Sequence, residues 1–210
     1  MNIKNYNLID LKSKIDSDLQ KQTISGRVLL DRFCMIDETS RKSPSYTDPN
    51  YAGFYYHFGK YIEPNSIFEF GFDLGLFPAS FMISCKTVQR FLGFREKDGD
   101  FFSERIGARN IKKSFKGKSD YYHGTIYDKK FDKFLMNSWD MIIFATEYKY
   151  DKQLEYLDFI WPHVSDYGII VCDNLNRHSP TKEAFNAFAQ SKNREPILFS
   201  TRHGTGLLQK

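Results

Sequence analysis

The stretch Glu69-Phe70-Gly71-Phe72-Asp73-Leu74-Gly75 combines two carboxylates with two glycines four residues apart. The apolar run Ile67-Phe68-Glu69-Phe70 leads into it and reads as a buried strand. Gly71 permits a turn that a side chain would block, and Gly75 lets backbone and ligand approach closely. Pro78 is expected to open an apolar helix over Ala79 to Cys85, whose first N–H groups face an acceptor such as a carboxylate or phosphate. Strand, glycine turn and helix start make a small-molecule site in an α/β sheet. The spacing is not the G-x-G-x-x-G of dinucleotide sites, and no G-x-x-x-x-G-K-S/T loop is present.

These residues need a frame. Tyr6 to Leu19 has helical spacing at Leu8, Leu11, Ile15 and Leu19, and a second apolar run lies between Thr23 and Glu38. Thr39 to Asn50 is polar and turn-forming, a loop long enough to act as a lid. Tyr51 to Tyr61 is a core-facing helix. Residues 1–60 therefore read as a helical cover with a lid loop, and residues 61–210 as the main α/β body of one domain. Further strands are expected at Arg90–Arg95, Ser119–Gly124, Trp139–Ala145 and Tyr167–Cys172. Helices are expected at Asp98–Ile111 and Tyr150–Val164, and from the Ser179-Pro180 start to about Ser191 with Ser179 as its cap. Asp128 to Met136 is a short helix or loop. Ile197–Thr201 and Thr205–Gln209 form a closing hairpin around His203-Gly204. Alternating strands and helices demand a parallel sheet, and the hairpin inserts one reversed strand.

Glu69-Phe70-Gly71-Phe72-Asp73-Leu74-Gly75 fits E-x-G-x-x-x-G, and with this element order the chain resembles the class I S-adenosylmethionine-dependent methyltransferases. The resemblance covers residues 60–210. It implies a Rossmann-like, seven-stranded, mostly parallel sheet with a terminal antiparallel hairpin and helices on both faces. It also implies S-adenosylmethionine as cofactor and methyl transfer to oxygen or nitrogen of a small-molecule acceptor. By this resemblance Glu69, Gly71, Phe72, Asp73 and Gly75 cradle the methionine part, where carboxylates suit an ammonium and a sulfonium. The family's ribose-binding acid after the second strand aligns with Arg95: either Glu96 next to it takes the role after a one-residue shift, or ribose recognition is altered. Thr125 and Ile126 sit where the family brackets the adenine, with threonine in place of the usual acid.

Trp139 to Leu175 is similar to the catechol-like branch, whose members hold a divalent metal on an acid after the fourth strand and an acidic pair after the fifth. Here those positions are Ala145, with Glu147 two residues on, and Asp173-Asn174. Two oxygen ligands make a poor magnesium site, so no metal is expected. Asp173 and His178 are the catalytic candidates, because a histidine near neutral pKa can deprotonate an acceptor hydroxyl. Arg177 beside it suits an anionic acceptor. His57, His123, His163 and His203 have no better claim. The departures at Arg95, Thr125 and Ala145 also fit a degenerate binding or scaffold protein that kept the fold and lost transfer.

Composition narrows the partners. The 210 residues are 41% hydrophobic and 27% charged, with 20 Phe and 13 Tyr, so core and pocket should be rich in rings. A formal charge of +4 and the isolated basic segment Lys112 to Lys118 do not make a nucleic-acid stripe. No Asn-Pro-Pro-Tyr motif of amino-methylating enzymes is present, Ala145-Thr146-Glu147-Tyr148 standing in its place, and no cysteine follows a proline. Cys34, Cys85 and Cys172 form neither a metal pattern nor a disulfide framework, so a reduced, cytoplasmic protein is the simplest reading. Met1 begins a polar segment, and no apolar run approaches the roughly 20 residues that span a bilayer. A homo-oligomer is compatible with all of this.

Overall fold

The computed structural model describes residues 3–21, 26–34, 36, 38–42, 46, 51–96, 101–146 and 148–210. Most of the expected lid, positions 43–45 and 47–50, lies outside them, as does Glu147. The elements run α1 (Leu8–Lys21), α2 (Gly26–Phe33), α3 (Glu38–Lys42), α4 (Tyr51–Tyr61), β1 (Ser66–Phe70), α5 (Leu76–Ser84), β2 (Arg90–Glu96), α6 (Phe101–Ser114), β3 (Lys118–Gly124), α7 (Asp132–Leu135), β4 (Trp139–Phe144), α8 (Tyr150–Ile160), β5 (Val164–Cys172), α9 (Ser179–Ser191), β6 (Ile197–Phe199) and β7 (Thr205–Gln209).

One seven-stranded sheet has the order β3-β2-β1-β4-β5-β7-β6. Strands β1 to β5 pair in parallel, and β7 runs antiparallel to both neighbours. The chain order reverses between β1 and β4, so a crevice opens beyond their carboxyl ends. The central strands are apolar on both faces because both are covered. Ile67, Phe91, Met141, Ile143, Ile169 and Val171 pack with the side chains of α1, α4 and α5. Phe68, Phe70, Leu92, Phe94, Ile142 and Phe144 pack the other way, with Tyr156, Leu157, Phe185 and Phe188 of α8 and α9. Helix α4 buries Tyr51, Phe54, Tyr55 and Phe58. Among the described residues no helix is long and apolar enough to cross a membrane.

Helix α3 takes Glu38–Lys42, so the stretch expected as a loop from Thr39 is helical at its start. Two helix starts near the site also differ from expectation. Helix α5 begins at Leu76, not beyond Pro78, because Gly75 turns the chain with φ 61° and a proline is tolerated in the first turn, where its missing N–H has no partner to lose. Helix α9 has His178, not Ser179, at its N-cap position, with no side-chain capping bond, and the Ser179 hydroxyl donates to Glu183 Oε1 at 2.6 Å.

Candidate functional site

The crevice is built first by backbone. Gly71 and Phe72 both donate their N–H to Phe94 O, at 2.9 and 3.0 Å, folding the turn over the end of β2. Gly71 has φ 82°, and a Cβ there would lie 2.2 Å from Thr146 Cγ2. The turn then lies against α6. Asn110 Nδ2 donates to Leu74 O at 2.8 Å, and a Cβ on Gly107 would lie 2.0 Å from Asp73 O. The turn delivers the start of α5 to the crevice with Gly75 at its N-cap and no side chain capping it. No side chain satisfies the first N–H groups there, which carry the positive end of the helix dipole.

A cleft results, walled by Glu69, Gly71, Asp73 and Gly75 on one side and by Tyr51, Ala145, Asp173, Asn174 and His203 on the other. It adjoins a second opening lined by Arg95, Glu96, Thr146 and Tyr148, the two sharing Gly71, Asp73 and Ala145. The combined shape is an elongated trough across the ends of β1, β2 and β4.

Glu69 is 3% exposed, and its Oε2 has no hydrogen-bond partner among the described residues. Burial first, then the nearby charges of Asp73 and Asp173, push its carboxyl well above the usual carboxylate range. Asp173, 2% exposed, is by contrast well held. Its Oδ2 accepts from the Tyr51 hydroxyl at 2.6 Å and its Oδ1 from Thr205 Oγ1 at 3.1 Å. Burial raises the Asp173 pKa, against the lowering effect of Tyr51, the Asn174 N–H, Thr205 and His203. Burial and Asp173 hold the Tyr51 hydroxyl well above the ordinary phenol range, so it stays a donor. At the trough's other end Arg95 Nη1 donates to Asp73 Oδ1 at 2.9 Å. Glu96 accepts from Lys152 Nζ at 2.6 Å and from the Tyr156 hydroxyl.

Of the sequence-derived candidates, Glu69, Gly71, Asp73, Gly75, Arg95, Glu96, Ala145 and Asp173 come together on the trough. Four do not. Phe72 is 1% exposed and points into the core, its ring 5.6 Å from Phe91 and 5.1 Å from Tyr121, because glycines at 93 and 107 leave a slot for it. Ile126 is likewise core, packed with the rings on the α8 side of the sheet. Thr125 is spent on a local turn: its N–H donates to Asp128 Oδ2 and its Oγ1 accepts from Tyr127 N–H. His178 is turned away by Asn174, whose φ of 64° starts a tight turn that accepts the His178 N–H at 2.9 Å. The His178 ring then sits on Thr181 Oγ1 at 2.8 Å.

The histidine on the trough is His203. It is buried, its Nε2 has no hydrogen-bond partner among the described residues, and its ring meets Tyr51 edge-on at 6.1 Å. Sequence reasoning passed it over, along with Tyr51. The pointer to His203 was its hairpin: Cys172 pairs with Gly206 across β5 and β7, which brings the 201–204 turn beside Asp173.

No family model matches the sequence, and no curated protein matches it. Solved structures do. An O-methyltransferase from Bacillus cereus, in complex with SAH, superposes with a TM-score of 0.66 over 95% of this chain and 100% of its own, at 12% identity. The O-methyltransferase TomG from Streptomyces achromogenes, involved in tomaymycin synthesis and in complex with SAM, gives 0.66 over 97% and 98%, at 11%. The SAH-bound methyltransferase PaMTH1 from Podospora anserina gives 0.63 over 99% and 98%, at 14%. The fold is therefore the Rossmann-like fold of class I methyltransferases, with its sheet order and terminal reversed strand intact.

Proposed function

We propose that the protein transfers a methyl group from S-adenosylmethionine to an oxygen or nitrogen of a small-molecule acceptor. The observation that carries this reading is Glu69 Oε2, a buried carboxylate oxygen left unpartnered on the cleft wall. Such an atom is costly unless a donor arrives from outside, and an amino-acid ammonium supplies both hydrogen and charge. Gly71 and Gly75 line the same cleft wall, both with positive φ, which lets the turn fold tightly beside it. The uncapped start of α5 offers N–H groups to the carboxylate end of that amino acid.

When bound, S-adenosylmethionine supplies an electrophilic methyl on a sulfonium whose departure takes the bond electrons. The chain's part is then mainly to align the acceptor with that methyl and keep water out. Glu96, steadied by Lys152 and Tyr156, lies at the second opening where a carboxylate can accept from ribose hydroxyls. Asp173, Tyr51 and His203 form the acceptor end, and His203 Nε2 takes the acceptor's proton where one must leave.

Calorimetry tests the reading directly. S-Adenosylmethionine and its demethylated product should each bind one-to-one, and Glu69→Gln should weaken both. Absence of heat with either compound would overturn the proposal and favour a protein that kept the fold without the cofactor.

A further inference from the structure

The catechol-like pattern would place a divalent cation on the acid after β4 and the pair after β5. In this chain those positions are Ala145, with Glu147 two residues on and outside the described residues, and Asp173-Asn174; Ala145, Asp173 and Asn174 line the same cleft. Among the described residues they do not fit a cation. Ala145 brings no side-chain oxygen. Both Asp173 oxygens are already engaged by hydroxyl donors, Tyr51 at 2.6 Å and Thr205 at 3.1 Å. Magnesium or calcium needs six or more oxygens, with carboxylates free to face it. Among the described residues no group of three or more His, Cys, Asp or Glu is placed to hold a metal.

We propose that Tyr51 takes the cation's place: its neutral hydroxyl occupies by hydrogen bonding the Asp173 oxygen a metal would use, so the acceptor is held by hydrogen bonding at Tyr51 and His203 and not by chelation. Tyr51 belongs to α4, which packs its Tyr55, Phe54 and Phe58 into the core beside α5. The cover helix thus contributes a positioning residue to the site. A cation entering this corner would have to displace a buried hydroxyl hydrogen-bonded to a buried carboxylate, which leaves that hydroxyl unpaired. The inference draws on the methyl-transfer reading for its meaning, and its test is independent of it.

The test is a titration of the purified protein with Mn²⁺, with and without the demethylated cofactor product, followed by the electron paramagnetic resonance signal of free Mn²⁺. Wild type is expected to leave the signal as it is in buffer. Ala145→Asp combined with Tyr51→Phe should restore a carboxylate and open Asp173, raising Mn²⁺ affinity at least about tenfold. Thermal unfolding of each variant is recorded alongside. If the double variant does not fold, Ala145→Asp with Tyr51 retained decides: no gain over wild type is expected, and a gain of about tenfold would overturn the proposal. Mn²⁺ retention by wild type that Asp173→Asn abolishes would overturn the proposal, as would a folded double variant with no gain. Retention that survives Asp173→Asn is a cation elsewhere and leaves the corner as proposed. Failure of the cofactor product to bind would remove the methyl-transfer reading while the Mn²⁺ result still decided the role of Tyr51.

Discussion

Two buried carboxylates share this cleft and are treated in opposite ways. Asp173 is satisfied by the protein itself, whereas one oxygen of Glu69 has no partner among the described residues. A buried polar atom without a partner costs stability. Because the folded protein holds the Glu69 proton to a higher pH than the unfolded chain, folded molecules carry more protons between the two values. Stability of the free protein should therefore fall as pH rises from the ordinary carboxylate range through the raised Glu69 value, then level off. Asp173 contributes with the same sign. Glu69→Gln should flatten that fall and make the ligand-free protein more stable above the window, as urea denaturation across pH would measure. The same change should weaken binding of the demethylated cofactor product by about 2 kcal/mol, roughly thirtyfold, the worth of a charge-assisted hydrogen bond. In the wild type, binding should strengthen with pH across the window and release a proton, visible as a dependence of calorimetric heat on buffer.

Among the elements, the turn between β1 and α5 does the positioning, and it is held by close approach more than by side-chain bonds. Gly71→Ala would put a methyl against Thr146 in a left-handed backbone conformation. A loss of about 1–3 kcal/mol is expected in chemical denaturation. Gly107→Ala is the sharper test. It lies inside helix α6, where alanine is ordinarily better than glycine by about 1 kcal/mol. Here the new Cβ would meet Asp73 O at 2.0 Å and Phe72 Cζ at 2.7 Å. The variant should melt at a lower temperature than wild type and bind the demethylated product more weakly, because the Asp73–Gly75 turn must shift. A rise in melting temperature with binding unchanged would show that the turn does not depend on α6.

At the scale of the molecule, the cover packs into the same core as the sheet. Tyr51, Phe54, Tyr55 and Phe58 are buried in one cluster with Ile67, Phe81 and Met141. Aromatic side chains bury about 150–250 Å² each, so removing α4 exposes a large apolar face. A chain beginning at residue 61 should fail to fold, giving no near-ultraviolet circular dichroism. The full chain should unfold in one transition with fluorescence and circular dichroism coinciding. The division into a cover and a body, natural from the sequence, is then one of chain order and not of folding units.

The sequence by itself determined most of the elements and the glycine turn at the head of the cleft. Apolar runs of strand length, helical spacing in α1, α4 and α8, and the glycine-carboxylate string at Glu69–Gly75 are local signals, and local geometry obeys them. Helix Tyr51–Tyr61 and strand Thr205–Gln209 have the limits read from the chain. Only the tertiary structure decided which side chains the crevice keeps. Phe72 and Ile126 lie in or beside the expected positions yet turn into the core, because burying an apolar ring or branched chain outweighs facing an open cleft. His178 and His203 exchanged places because a left-handed Asn174 and the β5–β7 register, neither visible in a linear string, set which imidazole stands beside Asp173. Tyr51 reached that carboxylate across 122 positions of chain, a pairing that only the packing of α4 onto the sheet could bring about.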